Sequence, residues 1–131
     1  LKGNVFLGDS LMDNVLITSF IGDGKEFAPM LIDIVPKKPE ELYREVLDNL
    51  KKLVNASLVH GDLSAYNILL LDRLYFIDFS HGTTVKNQIA LELLKRDIKN
   101  INAYFSKLNI AVKDSEDIFN ELIKIIKLKS E

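Results

Sequence analysis

The chain has 131 residues, and its 17 lysines and arginines against 19 aspartates and glutamates give a formal net charge of −2. This balance provides no argument for a nucleic-acid or anionic-membrane partner. The absence of cysteine excludes disulfides, thiolate zinc sites and cysteine nucleophiles. No apolar run approaches the ~18–20 residues that a membrane-spanning helix needs. The sequence therefore predicts an ordinary globular domain without a membrane partner, and we expect it to be cytoplasmic.

The first recognisable element is the β-branched, apolar run NVLITSFI at residues 14–21, which is followed by the turn residues Gly22-Asp23-Gly24. This pattern predicts a strand that runs into a loop. Residues 25–38 are predicted to form a connector, because prolines are spaced along them. The chain opens with Leu1 rather than Met, so we expect it to be a fragment or to have lost preceding residues.

A change of period at Pro39 predicts a helix over residues 39–55. Proline suits the first turn of a helix, and Glu40 and Glu41 suit the positive end of its dipole. The apolar residues recur at helical spacing, with charged residues on the other face. The predicted buried stripe consists of Leu42, Val46, Leu47, Leu50, Leu53 and Val54.

Two short apolar runs, residues 67–71 and 74–79, are separated by Asp72-Arg73 and predict a β-hairpin. Another helix is predicted over 87–108, with an apolar stripe of Leu91, Leu94, Ile98, Ile101, Phe105 and Leu108.

A third helix should open at Asp114 or Ser115, either of which could cap the first turn. Its apolar stripe is Ile118, Phe119, Leu122, Ile125 and Ile126. The order of elements contains no alternating βαβ series and so argues against a Rossmann sheet.

The chemistry is concentrated in HGDLSAYN at residues 60–67 and in FIDF at residues 76–79. Phosphoryl transfer needs an acceptor oxygen held in line with the γ-phosphate and cations that span the phosphate oxygens. We assign to Asp62 the role of accepting the proton of the acceptor and orienting it. Asn67 and Asp78 offer the oxygen ligands that Mg²⁺ prefers, and the hairpin should bring both to its open end.

A single Asp or Asn in a loop usually only caps a turn. The combination of H-G-D-x₄-N, a short hairpin and I-D-F is more specific, because it matches the catalytic and metal-binding motifs of the protein-kinase-like fold in order and spacing. We interpret His60 as structural support for the catalytic loop. His81 we interpret as a solvent-facing residue.

The string HGDLSAYNILL resembles the RIO kinases, whose loop reads H-x-D-L-S-x-Y/F-N. Aminoglycoside and choline phosphotransferases share H-G-D-x₄-N but typically carry His-Pro-Gly where this chain has Ser64-Ala65-Tyr66. The resemblance extends to VLITSFIGDG at 15–24, which is similar to the hinge of the family, and to the helix at 90–108. Asp78-Phe79-Ser80 makes the first RIO subfamily the nearer match.

This resemblance implies an α+β, protein-kinase-like fold over residues 1–131. Residues 1–24 would be the end of the N-terminal lobe and the hinge, and residues 25–131 the C-terminal lobe, with most of the N-terminal lobe absent. It also implies binding of ATP with Mg²⁺ or Mn²⁺, and serine/threonine phosphorylation or ATP hydrolysis. The substrate would be another protein or the kinase itself, in the maturation of the small ribosomal subunit.

By position in the resemblance, Asp62 is the catalytic aspartate, and Asn67 and Asp78 are the metal ligands. The backbone of Ser19 and Ile21 would hold the adenine edge, with Thr18 at the back of the pocket. Asp78 would also be a transient phosphoacceptor. Gly61 stands where many kinases have an arginine that receives an activation-loop phosphate, so we expect no switching of that kind.

The chain has no glycine-rich phosphate loop and no strand lysine of the kinase type. We therefore expect it to fold but to bind ATP weakly and to be nearly inactive alone, and we expect the 15–21 strand to promote self-association. Two alternatives remain. One is a catalytically silent kinase-like module that binds a partner or nucleotide, and the other is a small-molecule phosphotransferase, which Ser64-Ala65-Tyr66 disfavours.

Overall fold

The structure is a computed structural model that describes residues 29–70 and 73–130. Within these ranges it contains three helices and four short strands. In chain order they are α1 (Pro39–Asn55), β1 (Leu58–Val59), β2 (Ile68–Leu70), β3 (Leu74–Phe76), β4 (Thr83–Thr84), α2 (Ala90–Ser106) and α3 (Ser115–Ser130). No helix in the described part is long and apolar enough to cross a membrane.

Helix α1 has the predicted bounds, with Pro39 at its start and two glutamates in its first turn. All six residues of its predicted stripe are buried. Tyr43 is buried as well, and its hydroxyl donates a 2.6 Å hydrogen bond to Asn102 Oδ1 on α2. The Tyr43 and Phe105 rings also pack at 5.1 Å. Tyr43 thus links α1 to α2 through one hydrogen bond and one ring contact.

The predicted hairpin is confirmed, although its strands are shorter than expected. Strands β2 and β3 pair antiparallel, with Ile68 opposite Phe76 and Leu70 opposite Leu74. Met30 forms an isolated bridge with Leu69, so part of the connector before α1 lies along the hairpin. The pair of β1 with β4 was not predicted, because two-residue strands carry too little pattern to be detected. The predicted strand at 14–21 lies outside the described residues.

Helix α2 is shorter than predicted at both ends. Asn87 folds back as a turn, with its side chain accepting from the Ile89 N–H at 3.0 Å. Asn109, at φ 63°, adopts the left-handed conformation that often ends a helix. Leu91 is 40% exposed, so its placement in the buried stripe was wrong; Leu94 is buried. The large apolar residues of the buried stripe therefore begin one turn after the start of the helix.

Helix α3 opens at Ser115, and Asp114 Oδ1 caps its first turn by accepting from the Glu116 and Asp117 N–H groups at 2.9 and 3.3 Å. Its buried residues Ile118 and Leu122 join a core built by all three helices and the hairpin. The architecture is the α+β arrangement that the family resemblance implied. Within it, α2 lies beside the segment that connects β1 to β2.

Candidate active site

The catalytic loop, residues 60–67, is anchored to α2 by one buried carboxylate. Asp97 Oδ2 accepts from the Gly61 N–H and Asp97 Oδ1 from the Leu63 N–H, both at 2.9 Å. Asp97 is 0% exposed. Because these two amides flank Asp62, the carboxylate fixes the backbone on both sides of the predicted catalytic residue.

Two further side chains of α2 bind the carbonyl groups of the same residues. Arg96 donates to Gly61 O, and Asn100 Nδ2 donates to Leu63 O at 3.3 Å. Residues 96, 97 and 100 lie within about one helical turn, so they reach one short stretch of loop together. The N–H and C=O groups of Gly61 and Leu63 are thus all bound by a single helix.

The contact of Asp97 with the catalytic loop was not predicted from the sequence, although a signal was present. Asp97 follows Leu94 by three residues and precedes Ile101 by four, which places an acidic residue on the apolar face of α2. Burial raises the pKa of Asp97 to about 6, while the N–H donors of Leu63 and Gly61 and the nearby Arg96 oppose that rise. A buried carboxylate is costly unless hydrogen-bond donors satisfy it, so an acidic residue within an apolar stripe indicates that such donors lie beside it.

His60 connects the catalytic loop to the end of the hairpin. Its Nδ1 accepts from the Asp62 N–H at 3.1 Å, and its Nε2 lies 2.6 Å from Ile77 O. An acceptor at Nδ1 requires the proton on Nε2, so the ring is the neutral Nε2–H tautomer. Burial lowers the pKa of His60, which favours that neutral form. These contacts agree with the structural role that the sequence favoured.

Asn67 ends a 3₁₀ turn, Ala65–Asn67, in which the Tyr66 N–H donates to Ser64 Oγ at 3.2 Å. Its Nδ2 donates to Asp62 O at 2.7 Å, which leaves the amide oxygen as the atom that can face a cation. The Ile77 N–H donates to Asn67 O at 2.9 Å, so Asn67 lies opposite Ile77 in the hairpin. Asp78 is the next residue, and both predicted ligands therefore lie at the open end of the hairpin.

Asp78 begins the metal loop, residues 78–82. It adopts the left-handed conformation at φ 59°, which aspartate tolerates better than most residues. Its Oδ1 accepts from Ser80 Oγ at 2.7 Å and from the Ser80 N–H at 3.3 Å. These two hydrogen bonds lower the pKa of Asp78. The side chain is thus an ionised carboxylate at neutral pH.

The donor set fits a hard divalent cation held jointly with a phosphate. Mg²⁺ usually takes one or two carboxylates from the protein and completes its shell with substrate oxygens and water. Asn67 and Asp78 supply an amide oxygen and a carboxylate. Among the described residues there is no cluster of three or more His, Cys, Asp or Glu side chains that could hold a metal alone. This donor set fits a cation that takes its remaining ligands from phosphate and water.

Gly61 brings the catalytic and metal loops into direct contact. Its φ is 86°, and a Cβ placed on it would lie 2.5 Å from the backbone oxygen of His81. A side chain at this position would have to push the two loops apart. The structure thus accounts for glycine at a place where many kinases carry arginine.

Not every predicted site residue can be located. Asp62, Asn67 and Asp78 lie together around the catalytic and metal loops, as described above. Thr18, Ser19 and Ile21, the predicted adenine-binding residues, lie outside the described residues. Their role stays a prediction.

Comparison with known proteins agrees with this geometry. The RIO domain family model matches residues 9–118. The RIO-type serine/threonine-protein kinase Rio1 of Thermoplasma acidophilum is 35% identical over 111 residues, which are 85% of this chain and 58% of that protein. The serine/threonine-protein kinases RIO1 of Saccharomyces cerevisiae and Homo sapiens are 36% and 34% identical and are matched over 24% and 20% of their length. The chain thus spans little more than half of the archaeal relative.

A solved structure shares the fold. The Rio2 kinase of Chaetomium thermophilum has a TM-score of 0.65 at 20% identity, covering 76% of this chain and 34% of that one. Its complex described as Rio2 kinase-ADP/Mg²⁺-phosphoaspartate has a TM-score of 0.61 at 19% identity, covering 71% and 33%. The family match over most of the chain and the protein-kinase-like fold lead to one conclusion: this chain belongs to the RIO family of atypical serine/threonine kinases.

Proposed function

We propose that this chain carries the catalytic loop and metal-binding residues of an ATP-dependent RIO kinase or ATPase. The observation that supports this most is the position of Asp62. Its backbone is fixed by Asp97 on α2 and by His60, while Asn67 and Asp78 lie beside it at the hairpin end. Positioning of this kind is most of what an enzyme contributes to phosphoryl transfer.

In this proposal Asp62 orients the hydroxyl of the acceptor and takes its proton as the bond from the acceptor oxygen to the γ-phosphorus forms and the bond to the leaving ADP breaks. Asn67 and Asp78 hold the cation through their side-chain oxygens. When bound, Mg²⁺ or Mn²⁺ neutralises charge on the phosphate oxygens. The ADP/Mg²⁺-phosphoaspartate complex of the Chaetomium Rio2 supports Asp78 as a transient phosphoacceptor here. Thr18, Ser19 and Ile21 are proposed to hold the adenine.

The cellular setting is also a proposal. Family resemblance supports a protein substrate or autophosphorylation and a role in maturing the small ribosomal subunit, and we also propose a cytoplasmic location. Self-association through residues 15–21 is a further expectation. Co-sedimentation with small-subunit precursors, in the wild type and in an Asp62→Ala variant, would test the ribosomal part. Absence from those fractions would contradict it.

The decisive experiment measures ADP release and nucleotide binding together. Because the chain spans 58% of the Thermoplasma Rio1, it should be assayed alone and as a chimera completed with the part of that relative that it does not match. We expect higher turnover in the chimera. Asp62→Ala in the chimera should lower turnover by ~10²–10⁴-fold and leave ATP affinity nearly unchanged, since a positioned base acts in the transition state. Ser106→Ala, an exposed change on α2, is the matched control.

Three outcomes would contradict the proposal. No turnover in the chimera despite ATP binding would favour a silent kinase-like module. ADP release that depends on an aminoglycoside or choline would favour a small-molecule phosphotransferase. If ATP binding falls in step with activity in Asp62→Ala, then Asp62 supports the loop instead of the reaction.

A further inference from the structure

Ser80 makes a contact that the proposed mechanism does not use. Its hydroxyl lies 2.7 Å from Asp78 Oδ1, which is shorter than the 3.3 Å contact of its backbone N–H with the same oxygen. Ser80, Asp78 and His81 are all exposed, so the hydroxyl is not needed to satisfy a buried group. The partner of the hydroxyl, Asp78, is one of the two predicted metal ligands, so the contact bears on metal binding.

The direction of the hydroxyl proton follows from the distances. Ser80 Oγ lies 2.7 Å from the carboxylate but 3.3 Å from His81 Nδ1. An ionised carboxylate only accepts, so the single hydroxyl proton belongs to the shorter contact. The contact with His81 is then a hydrogen bond in the tautomer whose proton is on Nδ1, which donates to Ser80 Oγ. The three side chains form a directed chain of hydrogen bonds that ends on Oδ1 of Asp78.

The backbone holds Ser80 where it can make this contact. The Gly82 N–H donates to Phe79 O at 2.8 Å, which closes a turn around Ser80 and His81. The His81 carbonyl group packs against Gly61 of the catalytic loop. Ser80 therefore lies in a closed turn of the metal loop, and this turn packs against the catalytic loop. Within residues 29–70 and 73–130, the hydrogen bonds to the Asp78 carboxylate fall on Oδ1, so Oδ2 is the oxygen that a cation could take.

We propose that Ser80 is a positioning residue for the metal ligand Asp78: its hydroxyl, backed by His81, holds Oδ1 so that Oδ2 is presented to the divalent cation. This inference rests on the proposed function, in which Asp78 is a metal ligand. Hydrogen-bond partners of metal-binding carboxylates typically change metal affinity by 10–100-fold when they are removed. Since His81 contacts Ser80 and makes no hydrogen bond to Asp78 itself, its removal should have a smaller effect.

The variant Ser80→Ala isolates the hydroxyl, because the contact from the backbone N–H to Asp78 Oδ1 does not depend on the side chain. The probe is Mn²⁺ with ADP, titrated into the ¹⁵N-labelled chain. Paramagnetic broadening of the amide signals of residues 67 and 78 reports binding without any turnover. We expect the midpoint in Ser80→Ala to rise about 10-fold. Ser80→Thr, which keeps a hydroxyl, should stay within about 2-fold of the wild type.

His81→Ala should raise the midpoint by about 2–3-fold, an effect between those of Ser80→Thr and Ser80→Ala. Ser106→Ala removes an exposed hydroxyl elsewhere and should leave it unchanged. Asp78→Asn distinguishes a failure of the proposed metal site from a failure of the proposed role of Ser80. If Asp78→Asn binds Mn²⁺ as the wild type does, or if the wild type shows no broadening near residue 78, the metal site itself is wrong. If Asp78→Asn loses binding while Ser80→Ala keeps the wild-type midpoint, the metal site stands and the role of Ser80 is overturned.

Discussion

The catalytic loop and the metal loop lie side by side but are held in opposite ways. Gly61 and Leu63 are bound by α2 side chains that lie 34 to 37 positions away in the chain, and the central one, Asp97, is fully buried. The metal loop is held mainly by its own neighbours, since Ser80 reaches Asp78 over two residues and both are exposed. One loop depends on the folded core, and the other depends on local geometry.

This difference has a functional meaning in the proposed mechanism. A residue that orients an acceptor must keep its place whether or not nucleotide is present, and buried long-range hydrogen bonds provide that rigidity. A metal ligand has to adjust as the cation and its phosphate arrive and leave. Exposed local hydrogen bonds suit that adjustment, because each contributes little to global stability.

Loss of Asp97 should have the largest effect on stability. Asp97→Ala would leave the Gly61 and Leu63 N–H groups buried without their acceptor, at about 1–3 kcal/mol each. We expect the free energy of unfolding at pH 5 to fall by about 3 kcal/mol, as measured by urea denaturation. Asp48→Ala, an exposed carboxylate on α1, should change it by less than about 0.5 kcal/mol. Equal effects in the two variants would show that the carboxylate of Asp97 does not hold the loop.

A second large effect is expected where the two loops touch. Gly61→Ala introduces a Cβ 2.5 Å from His81 O at a φ of 86°, and a left-handed alanine alone costs roughly 1–2 kcal/mol. We expect about 2 kcal/mol of lost stability and amide shift changes in both loops. Gly82→Ala meets its nearest neighbour, Phe79 O, at 3.1 Å and carries no left-handed strain, so it should cost less. If Gly61→Ala changes amide shifts in the catalytic loop alone, the contact between Gly61 and His81 does not couple the two loops.

The smallest effect is a pH dependence that belongs to Asp97. Its pKa is raised from 3.8 to about 6 in the folded chain, so the folded state binds more protons than the unfolded state between these values. Stability from this group is therefore lost as pH rises towards 6. The stability gap between wild type and Asp97→Ala should shrink by about 1 kcal/mol from pH 5 to pH 7.

His60 makes stability depend on pH in the opposite direction, and it does so in a neighbouring pH range. Its pKa is lowered by burial, so its contribution is complete above the unfolded value of ~6.5 and is lost as pH falls below it. Because His60 is present in both the wild type and Asp97→Ala, the difference between the two proteins isolates Asp97. If the stability difference between the wild type and Asp97→Ala stays constant, or widens with rising pH, the raised pKa of Asp97 is contradicted.

Local features could be predicted from the sequence because their causes are local. Pro39 and a regular apolar stripe define α1, and Asp114 defines the start of α3. The hairpin followed from two apolar runs, while β1 and β4 did not, since two-residue strands carry no period. Leu91 was placed wrongly for a related reason: a helical period shows which face is apolar but not where along the helix the neighbouring elements begin to cover it.

The sequence by itself determined which polar groups meet at the hairpin: the spacing of Asp62, Asn67 and Asp78 brings two carboxylates and an amide together at its open end. Only the tertiary structure decided how these residues are held. The pairing of Asp97 with Gly61 and Leu63 and the close packing of Gly61 on His81 join segments far apart in the chain. Periodicity and motif spacing describe neighbours in sequence, whereas these contacts exist because α2 packs against the catalytic loop.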